Sequence, residues 1–327
     1  MELVSVGTPA IWAGFIVFVL AMLAIDLGVF HKKAHVVTLK EAAGWSAVWV
    51  SLALVFNGLV WWRFGPERGT EFLTGYLIEK SLSIDNIFVF VVIFASLKVP
   101  ALLQHRVLFW GILGALVMRA AMIFAGGAML ERFHWLIYIF GAFLVLTGLK
   151  LLRQTSADAP DPQKGWFMRL MRRTIPSTTS YSDDKFFVKE SGKWLATPLF
   201  MALLLVEVTD VIFALDSIPA IFAITRDPFI VFTSNIFAIL GLRSLYFLLA
   251  GVMDRFVYLK VGLAGVLVFV GSKMALIDVI KIPSAISLLA IATMLGTAIG
   301  ASLWVSRRPG ATRPTTDGQL RRDPTRT

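Results

Sequence analysis

The sequence predicts an all-α, polytopic membrane protein with about nine transmembrane helices, three of them repeated in inverted orientation. Three observations carry this. Hydrophobic residues make up 57% of the 327-residue chain, against 16% charged, and the mean hydropathy is +0.77. A soluble domain carries roughly 25% charged residues, so this chain has too little charge to cover a water-facing surface. The apolar residues fall in runs of about 20, the length that crosses a hydrocarbon core about 30 Å thick. The two halves also repeat a charged motif at preserved spacing.

The runs lie near 10–30, 43–62, 72–96, 107–130, 134–152, 195–224, 229–250, 257–277 and 282–305. The first is not read as a cleavable leader: no basic residue precedes it, Asp26 lies inside it, and no small-residue cleavage site follows. The net charge of +10 does not mark a nucleic-acid binder, because the basic residues sit between apolar runs rather than along a groove. Lys32, Lys33, Lys98, Arg106, Arg153, Arg172, Arg173, Lys185, Arg307 and Arg308 fall in alternate connections, and the opposite set holds few bases. The positive-inside rule then places the N-terminus outside and the C-terminus in the cytoplasm. A bacterial inner membrane is the expected location.

Residues 1–66 supply the first two helices, 67–152 the first three-helix repeat and 195–278 the second, with a last helix at 279–305. Between the repeats, 153–194 reads as a polar cytoplasmic loop. The basic tail 306–327 lacks apolar periodicity and reads as disordered. The chain has no cysteine, which removes thiolate sites, disulfides and cysteine nucleophiles, and its four histidines lie in or beside connections. With no Ser/His set either, an enzyme is not expected.

The repeat is detailed. Glu79-Lys-Ser-Leu-Ser-Ile-Asp85-Asn86 opens the third run, and Asp210-Val-Ile-Phe-Ala-Leu-Asp216-Ser217-Ile-Pro219 lies in the sixth, with the same separation between the two acids. Arg119 matches Arg243, Glu131-Arg132-Phe133 matches Asp254-Arg255-Phe256, and Gly148-Leu-Lys150 matches Gly271-Ser-Lys273. Each copy spans three helices, an odd number, so the second enters from the opposite face. Inverted repeats with a site at their interface are a recurrent plan of secondary transporters.

An ionisable side chain at a helix centre costs about 2.5–3.5 kcal/mol on insertion scales. Asp26, Glu79, Asp85, Glu207, Asp210 and Asp216 all fall inside runs, a combined cost on the order of 10 kcal/mol. Two compensations fit. In one the acids are structural partners of Lys80, Arg119 and Arg243, which also lie in the runs. In the other they bind cations, with Arg119 and Arg243 neutralising them when the site is empty. At about 100° per residue, Glu79 and Asn86 share a helix face, as do Glu207 and Asp210, whereas Asp85 and Asp216 are turned away. Pro219 removes a backbone donor and frees the Leu215 carbonyl, so breaks are expected near Ser83–Asn86 and Ser217–Pro219. Carboxylate, Asn86 amide, Ser217 hydroxyl and carbonyl oxygens form a hard donor set, which suits Mn²⁺, Mg²⁺ or Ca²⁺.

These motifs, with Ala24-Ile-Asp26-Leu-Gly-Val-Phe30 and Glu207-Val-Thr-Asp210, resemble the TerC/Alx family of integral membrane proteins, named partly for tellurite resistance. The resemblance covers about residues 10–305 and implies a relationship to LysE-type exporters. It implies Mn²⁺ export, with Asp26, Glu79, Asp85, Glu207, Asp210 and Asp216 as the metal site and Asn86 and Ser217 as neutral neighbours. Clustered carboxylates would repel the tellurite oxyanion itself. The expectation is a divalent-cation exporter working by alternating access, coupled to protons that exchange with metal at the acids. The cation is cargo, no permanently bound cofactor is expected, and the partners are the bilayer, the cation and protons. The alternative is a membrane-protein assembly or scaffold factor, in which the acids are structural and the 153–194 loop docks a partner.

Overall fold

A computed structural model describes residues 5–30, 38–133, 135–153, 166–178, 181–182, 184–190, 192–250, 258–280 and 282–306. Within these, the side chains of 26–30, 85, 88, 131, 166, 167, 172 and 306 are not described. The expectations for His31, His35, His134, the Asp254-Arg255-Phe256 match and the tail 307–327 fall outside the described residues.

Each apolar run forms helix. In chain order these are α1 (Pro9–Phe30), α2 (Leu39–Phe64), α3 (Pro66–Ser96), α4 (Ala101–Arg132) and α5 (Leu136–Arg153). The second half contributes α7 (Pro198–Phe222), α8 (Pro228–Ile239), α9 (Leu242–Ala250), α10 (Leu259–Ala275) and α11 (Ser284–Ser306). The connection 153–194 is more than a polar loop. It contains α6 (Trp166–Thr174) and the start of an antiparallel hairpin, β1 (Phe187–Glu190) with β2 (Lys193–Ala196). Met168 and Met171 bury one face of α6 in the main apolar core, and Tyr181 donates to the Leu97 carbonyl at 2.8 Å.

Among the described residues, five helices are long and apolar enough to cross a membrane: α2, α4, α5, α7 and α11. The pair α8 and α9, bent by 41°, makes a sixth. α10 is shorter, at 17 residues, and the part of α1 whose side chains are described, Pro9–Ile25, is of similar length. α3 has the length, 31 residues, but Glu67, Arg68, Glu71, Glu79, Lys80 and Asp85 lower its hydropathy.

The caps show why the chain turns where it does. Gly65, at φ 91°, ends α2 in a conformation that disfavours a side chain, and Pro66 starts α3 with its ring pre-set for the first turn. Asp227 caps α8 by accepting from the Phe229 and Ile230 amides at 2.9 and 3.4 Å.

The expected breaks are corrected. α3 and α7 run through Ser83–Asn86 and Ser217–Pro219. Pro219 lies one turn from the end of α7, and its fixed φ fits a helix, so the missing donor does not split the span. The interruption falls at Leu240–Gly241 between α8 and α9. Gly241 has φ 83°, and a Cβ there would lie 2.6 Å from the Trp49 ring, so both backbone and packing require glycine.

α3 packs against α7 and α8, α4 against α7, and α5 against α10, while α2 and α11 flank α3. The α5–α10 crossing is close enough that backbones touch. A Cβ on Gly141 would sit 2.8 Å from the Gly271 carbonyl oxygen, one on Gly271 2.6 Å from that of Gly141, and one on Gly148 2.9 Å from that of Ala264. Small residues permit such contacts where helices associate without a hydrophobic driving force. Gly271→Val is therefore expected to destabilise the protein by roughly 1–3 kcal/mol, the usual cost of overpacking. Thermal unfolding in detergent measures this, and an unchanged midpoint contradicts the close crossing.

Candidate functional site: a guanidinium clamped by acids of both halves

The centre of the bundle is polar. Arg119, on α4, is 1% exposed. Its Nη2 donates to Asp210 Oδ1 at 2.8 Å and its Nε to Asp210 Oδ2 at 3.0 Å, a bidentate pair with α7. Its Nη1 ion-pairs with Glu79 Oε1 of α3 and lies 3.5 Å from Ser217 Oγ and 3.4 Å from Asn235 Oδ1. Asn235, on α8, completes the ring by donating its Nδ2 to Glu79 Oε2 at 3.0 Å. Glu79, Asp210, Ser217 and Asn235 are all buried. Four helices thus meet at one side chain, and three oxygens from three of them surround Nη1.

The other acids are not on this clamp. Glu207 lies one turn before Asp210 and packs against Gly114 of α4; a side chain at 114 would take the place of its carboxylate. Its Oε2 is buried with no hydrogen-bond partner among the described residues. Asp216 is turned toward α5, where the Thr147 hydroxyl bonds it and Lys150 lies nearby, while its Oδ1 is buried and unpartnered. Asn86 and Ser83 are buried on α3, and neither Asn86 Oδ1 nor Ser83 Oγ has a partner among the described residues. Asp26 and Asp85 lie on α1 and α3, with their side chains outside the described set.

The cations divide similarly. Lys80 Nζ donates to the Ala238 carbonyl at 3.2 Å, on the last turn of α8 before the break. Arg243 is buried on α9. Among the described residues no group of three or more His, Asp or Glu side chains is arranged to hold a metal ion. Asn235 was not singled out in the sequence. Its signal was the polar run Thr233-Ser-Asn235 inside an apolar segment, which alone does not reveal the direction the amide points.

With this geometry the comparisons can be placed. The model of the TerC family of integral membrane proteins matches residues 64–310, and the chain belongs to that family. It is 67% identical over 313 residues to an uncharacterized membrane protein of Myxococcus xanthus, covering 96% of this chain and 97% of the relative. It is 49% identical over 313 residues to the Escherichia coli (strain K12) protein carrying the name membrane-bound redox modulator Alx, covering 93% and 97%. A membrane protein of Rickettsia felis is 43% identical over 292 residues, covering 89% and 97%. No solved structure matches the chain.

Removing Arg119 leaves two buried carboxylates facing each other. Breaking a buried pair in this way costs about 3–5 kcal/mol. Arg119→Met is expected to lose stability of that order in detergent unfolding, and Glu79→Gln with Asp210→Asn in the same chain recovers part of it. Equal stability of Arg119→Met and wild type contradicts the clamp.

Proposed function

We propose that the protein exports divalent cations, Mn²⁺ first among them, by alternating access between two inverted three-helix repeats. The observation that carries this reading is the Arg119 clamp together with unpartnered carboxylate oxygens elsewhere on α7, that of Glu207 one turn away and that of Asp216 facing α5. Arg119 answers Glu79 and Asp210, yet Glu207 Oε2 and Asp216 Oδ1 stay buried without a bond. Most buried polar atoms in folded proteins find a partner, so these two carboxylate oxygens stand out. Here Arg119 supplies, in the unloaded carrier, charge that a cation supplies in the loaded one. Nη1 stands among the Glu79 carboxylate, the Ser217 hydroxyl and the Asn235 amide oxygen, all hard donors of the kind Mn²⁺, Mg²⁺ and Ca²⁺ take. Protons exchanging with metal at the carboxylates would couple export to the proton gradient.

The packing supports the inverted repeat. If α3 corresponds to α7 and α4 to α8, the α3–α8 contact has its counterpart in α7–α4, and both occur. On α5 and α10 the contact of Gly148 with Ala264 has its counterpart in Gly271 with Gly141. Nine crossings, with the N-terminus outside, are the arrangement this symmetry favours: α3–α5 and α7–α10 form the repeats while α1, α2 and α11 flank them. The relatives' name speaks of redox. This chain has no cysteine for thiol exchange, whereas moving a redox-active metal alters redox balance without one.

Everted vesicles holding the full chain are expected to take up Mn²⁺, and Asp210→Asn to abolish uptake at equal membrane levels. No movement of Mn²⁺, Mg²⁺ or Ca²⁺ by folded wild type would transfer the reading to a membrane-assembly factor. A second outcome follows from the Glu207 seat. Gly114→Val pushes that carboxylate out of place and is expected to cut uptake at least tenfold, about 1.4 kcal/mol in transition-state terms, while the chain stays folded in size-exclusion chromatography.

A further inference from the structure

α3 and α7 pass the clamp in opposite directions. Early α3 lies beside late α7: a Cβ on Gly75 would be 3.3 Å from Ile221 Cγ2, and the Thr225 hydroxyl just beyond α7 donates to Glu71 at 2.8 Å. Further in, Glu79 and Asp210 meet at Arg119. Going forward along α3 from Glu79 is therefore the same direction as going backward along α7 from Asp210. Ser83 and Asn86 lie that way on α3, and Glu207 on α7. α4 agrees, because it runs alongside α7, with Gly111 against Val206 and Gly126 against Phe222, and Glu207 rests on Gly114, before Arg119 in the chain.

These three residues share more than a side. Ser83 and Asn86 fall within about 40° of Glu79 around α3, on the face that looks at Arg119. Axially Ser83 is roughly 6 Å and Asn86 roughly 10 Å beyond Glu79, and Glu207 about 4.5 Å before Asp210. Ser83 Oγ, Asn86 Oδ1 and Glu207 Oε2 are each buried with no hydrogen-bond partner, and Ser83 and Asn86 are 0% and 1% exposed. Folded proteins leave few such atoms. Three such oxygens lie on one side of one ion-pair network, and a hard cation takes oxygens of these kinds as ligands.

We propose that Ser83, Asn86 and Glu207 form a second cation station, separate from the Arg119 clamp, that holds a hard divalent cation while the clamp is closed. The proposal rests on the transport reading. One carboxylate and two neutral oxygens make a modest site that fills and empties readily, because affinity rises with the number of charged ligands. With the N-terminus outside, the station faces the cytoplasm, so it is the entry position from which a cation displaces Arg119 from Glu79 and Asp210.

The test uses Mn²⁺ itself, titrated into the purified full chain and followed by electron paramagnetic resonance, alongside Mn²⁺ uptake in everted vesicles. Asp210→Asn is expected to stop uptake yet retain bound Mn²⁺. Ser83→Ala with Asn86→Ala is expected to weaken binding and raise the KM for uptake about tenfold while the maximal rate stays near wild type. Asn86→Asp adds a charge and is expected to tighten binding, a gain that misfolding does not imitate. Unchanged binding in both Ser83→Ala/Asn86→Ala and Asn86→Asp, with wild type transporting, overturns the station and leaves the transport reading standing. Wild type that neither binds nor moves Mn²⁺ overturns both.

Discussion

A guanidinium buried in a bundle of apolar helices must be answered by negative charge, and the arrangement of this protein's interior follows from that. An isolated ion in such a place is prohibitively costly, so Arg119 draws Asp210 from α7 in a bidentate grip and Glu79 from α3 on its other edge. Asn235 is then fixed by bonding Glu79, which ties α8 to the same point. Four helices are registered by one residue. Around it the apolar core packs as two clusters, one rich in the aromatic rings of α1, α2, α3 and α8, the other in the aliphatic side chains of α5, α7 and α10.

The same constraint makes the centre suited to cation exchange. The acids exceed what Arg119 satisfies, and the surplus oxygens of Glu207 and Asp216 remain buried and unbonded. On the transport proposed above, spare acceptors and a displaceable donor would allow two closed states, one held by the guanidinium and one by an incoming cation. Arg119 holds the bundle together through Glu79 and Asp210, and under the proposed transport it would also be the competitor that cargo must beat. Breaking a buried ion pair without replacement is expensive, so the empty carrier would resist opening.

Much of this was legible in the sequence. The membrane class followed from the scarcity of charge, and every apolar run became helix. The rotation of Asp216 away from the Glu79–Asp210 axis followed from helical periodicity, and it does turn to α5. That Arg119 pairs with intramembrane acids was common to both compensations the charge balance allowed. What was not legible depends on contacts between distant segments. The break sits at Gly241 rather than Pro219 because Trp49 of α2 must approach there, and proline near a helix end costs little. Asn235 becomes part of the clamp only through the packing of α8 on α3. α6 was hidden because its burial comes from docking onto the bundle, and the hairpin because its strands are only four residues long and largely exposed.

The central claim is that this single chain moves the ion. The most direct measurement is counterflow of radioactive Mn²⁺ into liposomes that contain only the purified protein and are preloaded with unlabelled Mn²⁺. Transient accumulation of tracer above equilibrium, absent from protein-free liposomes, is the predicted result. Tracer that stays at the level of protein-free liposomes, with the chain folded and inserted, would contradict the account.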